Sequence, residues 1–246
     1  MSDQSSAVAS LRDVRFSWGT GAPVLDIEEF AVNRRERVFI RGPSGSGKTT
    51  LLGLLGGVLV AEQGEVTVLG EGLSGLSPAR RDHFRADHIG FIFQMFNLIP
   101  YLSLVENVTL PLGFAGRRQA NVKQSGKNPE EEAVRLLAHL GLQDQDLLQR
   151  KVIELSIGQQ QRVAAARALI GRPEIVIADE PTSALDTDTR EAFIRLLFSE
   201  CEAAGSTLVF VSHDPTLEKL FDRSIALHEI NRASQQSRKQ SQGGLG

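Results

Sequence analysis

Two stretches of this chain hold residues whose types and spacing could do chemistry. The first, Gly42-Pro-Ser-Gly-Ser-Gly-Lys-Thr49, fits G-x-x-x-x-G-K-S/T at every fixed position, and that pattern is suited to holding a polyphosphate. Gly42, Gly45 and Gly47 let the backbone turn tightly so that successive N–H groups point inward, and the helix that follows adds its positive N-terminal end. Pro43, Ser44, Ser46 and Thr50 complete the stretch as candidate nucleotide contacts. Lys48 can reach the β- and γ-phosphates as a point charge, and the Thr49 hydroxyl is placed to ligate a Mg²⁺ that bridges them. The second stretch is Asp179-Glu180, directly after the apolar run Ile175 to Ala178. A Mg²⁺-nucleotide site needs a carboxylate delivered at the end of a buried strand, and Asp179 fits. A carboxylate at Glu180 could polarise a water in line with the γ-phosphate, a general-base role worth roughly 10²- to 10⁴-fold in rate.

The surrounding pattern supplies elements to position these groups. Leu11, Val14, Phe16 and Trp18, then Leu25, Ile27, Phe30 and Val32 after a Gly19–Pro23 turn, predict antiparallel strands. A strand over Arg37–Arg41 enters the phosphate loop and a buried helix leaves it, ending near Gly56-Gly57. Gly64 to Gly70 reads as a short strand, Ser77-Pro78 opens a helix running toward Asp87, and Ile89 to Phe93 is strand-like and ends at Gln94. Phe96 to Ser103 is then an apolar, proline-broken loop, and Ser103 with Glu106 makes a capping box. Gly116 to Asn128 is polar, basic and glycine-containing, the composition of a mobile surface loop. Asn128-Pro129 begins a helix with Val134, Leu136, Leu137 and Leu140 as its apolar stripe. A further helix runs from Gln160 to Ile170, and Asp186 can cap the one that continues to about Gly205. Thr207 to Val211 is a buried strand with His213 just past its end, and Asp214-Pro215 starts another helix.

Strands alternating with helices imply a mainly parallel, helix-covered sheet with ligands at the strand C-terminal ends. The expected fold is α/β, a phosphate-loop NTPase core of RecA-like type with an N-terminal antiparallel β subdomain. A helical subdomain of about residues 95–158 is inserted as its own lobe. Residues 1–10 read as a flexible N-terminus, 11–230 as the domain, and 231–246, rich in Ser, Gln and Gly, as a disordered tail.

Composition narrows the function classes. The chain has 246 residues, 41% hydrophobic and 23% charged, enough for a substantial core. A net charge of −3 gives no overall field favouring nucleic acid, and no nucleic-acid partner is expected. Cys201 is the only cysteine, which rules out an internal disulfide and fits a buried or half-buried thiol of a helix in a reducing compartment. No apolar core of signal-peptide length opens the chain, and no run of about 18 apolar residues could span a bilayer. The expectation is a cytoplasmic protein whose membrane role requires a partner.

Leu155-Ser-Ile-Gly-Gln-Gln-Gln-Arg162, followed by Ala178-Asp-Glu-Pro-Thr-Ser-Ala-Leu-Asp186, resembles the signature motif, Walker B and D-loop of ATP-binding-cassette ATPases. The likeness extends from about Leu11 to Ile230, with Gln94 where the family's Q-loop lies and Val211-Ser-His-Asp214 similar to its switch-histidine segment. The resemblance implies ATP and Mg²⁺ as ligand and cofactor. Ser156 and Gly158, with Gln159 beside them, would bind the γ-phosphate of ATP held by a second copy of the chain. Asp186 would contact that copy's site, His213 would touch the γ-phosphate, Gln94 would serve catalysis and the metal, and Trp18 would stack on adenine. A serine hydroxyl and a glycine N–H at a helix N-terminus do form an anion site. For Trp18 the alternative is a core tryptophan of a small sheet. Ile157 stands where the family's commonest form has glycine.

Gly90 to Pro100, Glu106-Asn-Val108 and Leu110-Pro-Leu112 look most like cassettes of the macrolide-efflux, lipoprotein-release and glycolipid-export type. These serve permeases with few transmembrane helices, which places the chain peripherally on the inner face of a bacterial cell membrane. The apolar loop in the lobe around Phe96 to Leu112 would then help receive the permease, or else be subdomain packing. The reading is an ATP-hydrolysing transporter subunit working as an ATP-sandwich homodimer. A mechanotransmitting cassette like the bacterial cell-division ATPase is the alternative, separable by the identity of the membrane partner. A soluble cassette of translation or DNA repair usually carries tandem cassettes or long coiled coils, and neither repeat nor heptad is visible here.

Overall fold

The structure, a computed structural model, describes residues 7–183, 185 and 187–234. In chain order the strands and helices are β1 (Ala7–Ser17), β2 (Pro23–Asn33), β3 (Arg37–Arg41), α1 (Lys48–Leu55), β4 (Gln63–Val68), β5 (Glu71–Gly72), α2 (Pro78–His88) and β6 (Ile89–Ile92). They continue as α3 (Leu104–Thr109), α4 (Gly116–Gln124), α5 (Pro129–His139), α6 (Gln145–Leu148), α7 (Ile157–Leu169), β7 (Ile175–Asp179), α8 (Thr187–Ala204), β8 (Thr207–Ser212), β9 (Arg223–Ala226) and α9 (Leu227–Ile230). The chain divides into two compact units, residues 1–82 with 210–246, and residues 83–209.

In the first unit β1 and β2 pair antiparallel, with Leu11 opposite Phe30, Val14 opposite Ile27 and Phe16 opposite Leu25. These apolar residues are buried, so the period-2 alternation seen in the sequence becomes one packed face. The antiparallel sheet runs in the order β2-β1-β4-β5, and in the other sheet of the unit, ordered β8-β3-β9, β3 and β9 are parallel. Phe39 of β3 stacks on Phe210 at 6.1 Å and meets Phe221 at 5.1 Å, an aromatic core beneath the loop that β3 leads into.

At each end of the described residues, part of a segment expected to lack structure is built into the fold. β1 begins at Ala7, with Val8 and Ala9 buried, inside the segment read as flexible. Asn231 is fully buried, its amide accepting from the Asp26 N–H at 2.9 Å and donating to the Val24 carbonyl at 2.8 Å. Arg232 adds ion pairs to Asp26 and Glu28 at 3.1 and 3.0 Å. The tail therefore does not start at Asn231, because polar side chains rather than an apolar run fasten residues 231 and 232 to β2.

In the second unit β6 and β7 are parallel, Ile89 opposite Ile175 and Ile92 opposite Ala178. Of the elements after Gln94, α7 packs at once on β6 and on α3 and α5. Gly90 shows how close that packing is: a Cβ there would collide with the Ala168 carbonyl oxygen of α7.

The stretch read as a mobile loop contains α4, and the reason is a buried arginine. Arg118, 3% exposed, donates to the carbonyls of Ile170, Arg167 and Ala168 at 2.7, 3.1 and 2.9 Å. Asn121 donates to the Gly171 carbonyl at 2.9 Å. α4 thus satisfies the carbonyls at the end of α7, which would otherwise lack partners. Burial pushes the Arg118 guanidinium down to about 10, with Asp87 and Glu174 acting against the shift. On α5 the inward residues are Ala133, Leu136 and Leu137, whereas Val134 is 39% exposed. The segment after Asp214 is a 3₁₀ helix over Pro215–Leu220, capped by the Asp214 carboxylate. Cys201 is buried in α8.

Candidate functional site

The first unit holds the phosphate loop. It leaves β3 at Arg41, turns through Gly45 at φ +75° and Gly47 at φ +100°, and enters α1 at Lys48. At Gly47 a Cβ would lie 2.9 Å from Leu25 Cδ2, so both backbone angle and space demand glycine. Lys48 is buried at 8% exposure, and its ammonium donates to the carbonyls of Gly42 at 2.7 Å and Pro43 at 3.0 Å. The Ser46 hydroxyl is buried with no hydrogen-bond partner, an unsatisfied polar group within the loop. Pro43, Ser44 and Gly45 are exposed at the tip, Thr49 is exposed in the first turn of α1, and Thr50 is buried. Trp18 is 60% exposed and meets Phe16 edge-on at 5.0 Å, so it is not a core residue. His213 is exposed, one residue beyond β8.

The second unit holds the other candidates. Asp179 closes β7, and Glu180 follows with φ +47°, 8% exposed, in a turn where its carbonyl accepts from the Ser183 N–H at 3.2 Å. A non-glycine residue held left-handed is strained by about 1 kcal/mol or more, and such residues concentrate at functional sites. Gln94 is exposed, two residues past β6. Ser156 is the N-cap of α7: its hydroxyl accepts from the Gln159 N–H at 3.3 Å, and the Gln159 side chain accepts from the Ser156 N–H at 2.9 Å. This capping box starts the helix at Ile157, ahead of the expected Gln160. Ser156 is exposed, Gly158 half-exposed and Ile157 57% exposed. The helix therefore presents its positive end and an apolar side chain outward. Asp186 lies outside the described residues.

Two features of this unit escaped the sequence reading. One is a groove of about 300 Å³ lined by Arg85, Phe91, Phe93, Pro111, Phe114 and Arg167, among others. Phe114 is 71% exposed and lies just past the stretch singled out for a partner. The other is Asn107, fully buried, which accepts from the Ile99 N–H at 2.8 Å and donates to the carbonyls of Ile99 and Ser103 at 3.0 and 3.1 Å. A lone Asn in a helix gives no sequence signal of the loop it holds. Met95 and Tyr101, at 81% and 71% exposed, face outward, whereas Phe96, Leu98, Ile99 and Leu102 of that loop are half-buried.

A phosphate loop after a parallel strand and an acidic pair after another define a phosphate-loop NTPase of mixed α/β architecture. The family model for ABC transporters matches residues 25–183. The chain is 40% identical over 223 residues to the uncharacterized ABC transporter ATP-binding protein YbbA of Escherichia coli K12, covering 89% of this chain and 94% of that one. It is 38% identical to the lipoprotein-releasing system ATP-binding protein LolD of Porphyromonas gingivalis, with 90% and 97% covered. A solved ATP-binding cassette, a dimer in a post-hydrolysis state bound to ADP and Pi, superposes with a TM-score of 0.77 at 37% identity, over 89% of this chain and 93% of that one. The chain belongs to the ABC transporter family, as an ATP-binding subunit.

Proposed function

We propose that this chain hydrolyses ATP to power a separate membrane permease, working as a homodimer that holds two Mg-ATP between its copies. The observation that carries the reading is the outward-facing N-terminus of α7, where Ser156 and Ile157 are exposed and Gly158 half-exposed at the positive end of a 13-residue helix. The similar cassette solved as a dimer with ADP and Pi supports the same arrangement. No helix among the described residues is long and apolar enough to cross a membrane, and LolD's description as part of a lipoprotein-releasing system supports a separate permease.

The residues present fit ATP. The partnerless Ser46 hydroxyl and the amides between Gly45 and Lys48 suit phosphate oxygens. Lys48 now closes the loop on its own carbonyls, and a polyphosphate would exchange those two acceptors for charged ones. Trp18 offers an exposed indole face for adenine. Thr49, Asp179 and Gln94 are the residues that would hold Mg²⁺, which supplies charge neutralisation on the phosphates. Glu180 would take the proton of the attacking water and His213 would contact the γ-phosphate. Ser156, Gly158, Gln159 and Asp186 would serve ATP held by the other copy. The groove at Phe91, Phe93 and Phe114, next to the lobe around Phe96 to Leu112, would seat the permease.

Glu180→Gln keeps size and hydrogen bonding but removes the base, so two ATP molecules should bind and stay, shifting the chain to dimer by mass action. Adding Ser156→Arg fills the space for the other copy's phosphate. On sizing chromatography with Mg-ATP the single variant should run as a dimer and the double variant as a monomer. Normal turnover by Glu180→Gln, or equal dimerisation of the double variant, would refute the reading.

A further inference from the structure

The loop between Gln94 and Ser103 contains two successive non-glycine residues in the left-handed region, Phe96 at φ +58° and Asn97 at φ +51°. Neither side chain favours that conformation enough to hold it unaided, and for the aromatic Phe96 it is an outlier. Two backbone hydrogen bonds close it locally, from the Phe96 N–H to the Phe93 carbonyl at 2.9 Å and from the Asn97 N–H to the Met95 carbonyl at 2.6 Å, and one guanidinium ties it to α7. Arg167, on the last turns of α7, donates from one terminal nitrogen to the Asn97 carbonyl at 2.6 Å and from the other to the Phe96 carbonyl at 2.5 Å. The planar fork of arginine matches two adjacent carbonyls in a way an ammonium cannot. Burial lowers the Arg167 pKa, so the group is partly desolvated where it grips the loop.

The far end of the same loop is tied to the chain just ahead of α7. The Val152 N–H donates to the Leu102 carbonyl at 3.0 Å, the Ile153 N–H donates to the Pro100 carbonyl at 3.1 Å, and Ser103 bridges Lys151. Ser156 caps α7 three residues later. The loop is therefore fastened to α7 near its C-terminal end through Arg167 and ahead of its N-terminus through residues 151–153, with Asn107 filling its interior.

We infer that Arg167 is a positioning residue which imposes the left-handed turn at Phe96-Asn97, so that the exposed loop and the Ser156 end of α7 move as one piece. The inference rests on the reading above only for what the loop and Ser156 contact. The mechanical link stands on the hydrogen bonds alone. A partner that displaces the loop must then load α7, and closure at Ser156 must restrain the loop.

The test is amide hydrogen exchange by mass spectrometry on the full-length chain. Arg167→Gln should raise exchange of peptides covering 96–102 by about tenfold or more, and that of peptides covering 151–155 with it, because the ties share one loop. Glycine adopts the left-handed region without cost, so adding Asn97→Gly should restore much of the protection in both segments. A residue that merely fills space would show no such rescue. Arg167→Lys, which keeps the charge but not the fork, should fall between wild type and Arg167→Gln, and it carries the test if Arg167→Gln does not fold. Affinity for ATP without Mg²⁺ should be unchanged, since the phosphate loop is built from residues 42–50 and Gln94 is assigned to the metal. Unchanged exchange at 96–102, a rise there without a rise at 151–155, or no recovery with Asn97→Gly would overturn the link. ATP-driven dimerisation of Glu180→Gln tests the functional reading separately.

Discussion

Replacing Gly47 by alanine separates the two demands that the phosphate loop places on one residue. A left-handed backbone at φ +100° costs an alanine about 1–2 kcal/mol. Its Cβ would also stand 2.9 Å from Leu25 Cδ2 and 3.2 Å from Val24 Cγ1. Leu25 is fully buried and paired opposite Phe16, so it cannot swing aside without shifting β2. Overpacking of that kind adds about 1–3 kcal/mol. The sum is near 3 kcal/mol. A loop that relaxes to escape it must return to shape to bind nucleotide, which weakens Mg-ATP by roughly 10²-fold. Gly45 is the control: φ is +75°, but nothing lies within 4 Å of a Cβ. Gly45→Ala should therefore carry only the backbone cost, about 1 kcal/mol, and weaken binding about fivefold. Calorimetric titration of both variants, with thermal unfolding to detect cost absorbed by β2, decides the matter. Equal losses for the two variants, or wild-type affinity and stability in Gly47→Ala, would refute the steric argument and with it this description of the loop.

Arg118→Met should lower the unfolding midpoint by about 6–12 °C, since three carbonyls at the end of α7 lose their donor at a cost near 3 kcal/mol; a shift under about 2 °C in scanning calorimetry would show that water replaces the guanidinium. Glu132 is buried, which alone would raise its pKa, but hydrogen bonds from Arg135 and Lys127 hold it below the usual value. A depressed folded pKa stabilises above the unfolded value near 4.3 and is lost as pH falls through the folded one, so Glu132→Gln should destabilise at pH 7 and flatten the acid limb below about pH 4 in urea titrations. An unchanged acid limb would count against the cluster.

Legibility followed the range of the interactions. β1, β2, β3 and β7 were readable because burial on one or both faces writes itself into two-residue alternation or a short apolar run. α4 was not, because it is anchored by Arg118 and Asn121 to carbonyls some 50 residues away, and an arginine used as a buried donor looks in sequence like a solvated charge. The tail failed for the same reason at Asn231, where an amide in a polar stretch does the work usually done by a leucine. The division at residues 82 and 209 was hidden too, since its second boundary falls inside the continuous strand β8.

The site candidates escaped that difficulty because of where backbone leaves regular structure. Gly42 follows β3, Asp179 ends β7, Gln94 lies two residues past β6, His213 follows β8, and Ser156 caps α7. Each stands at a strand C-terminus or a helix N-terminus, where unpaired amides and the helix dipole favour anions before any side chain is added. A residue placed there needs only local sequence to be recognised. Its supporting contacts, such as Arg167 on the Phe96 and Asn97 carbonyls or Asn107 on Ile99, join positions far apart or within an unpatterned loop, and no local motif marks them. The chemistry proposed for this chain is thus written in short stretches, while their placement draws in part on polar side chains that only the folded structure pairs.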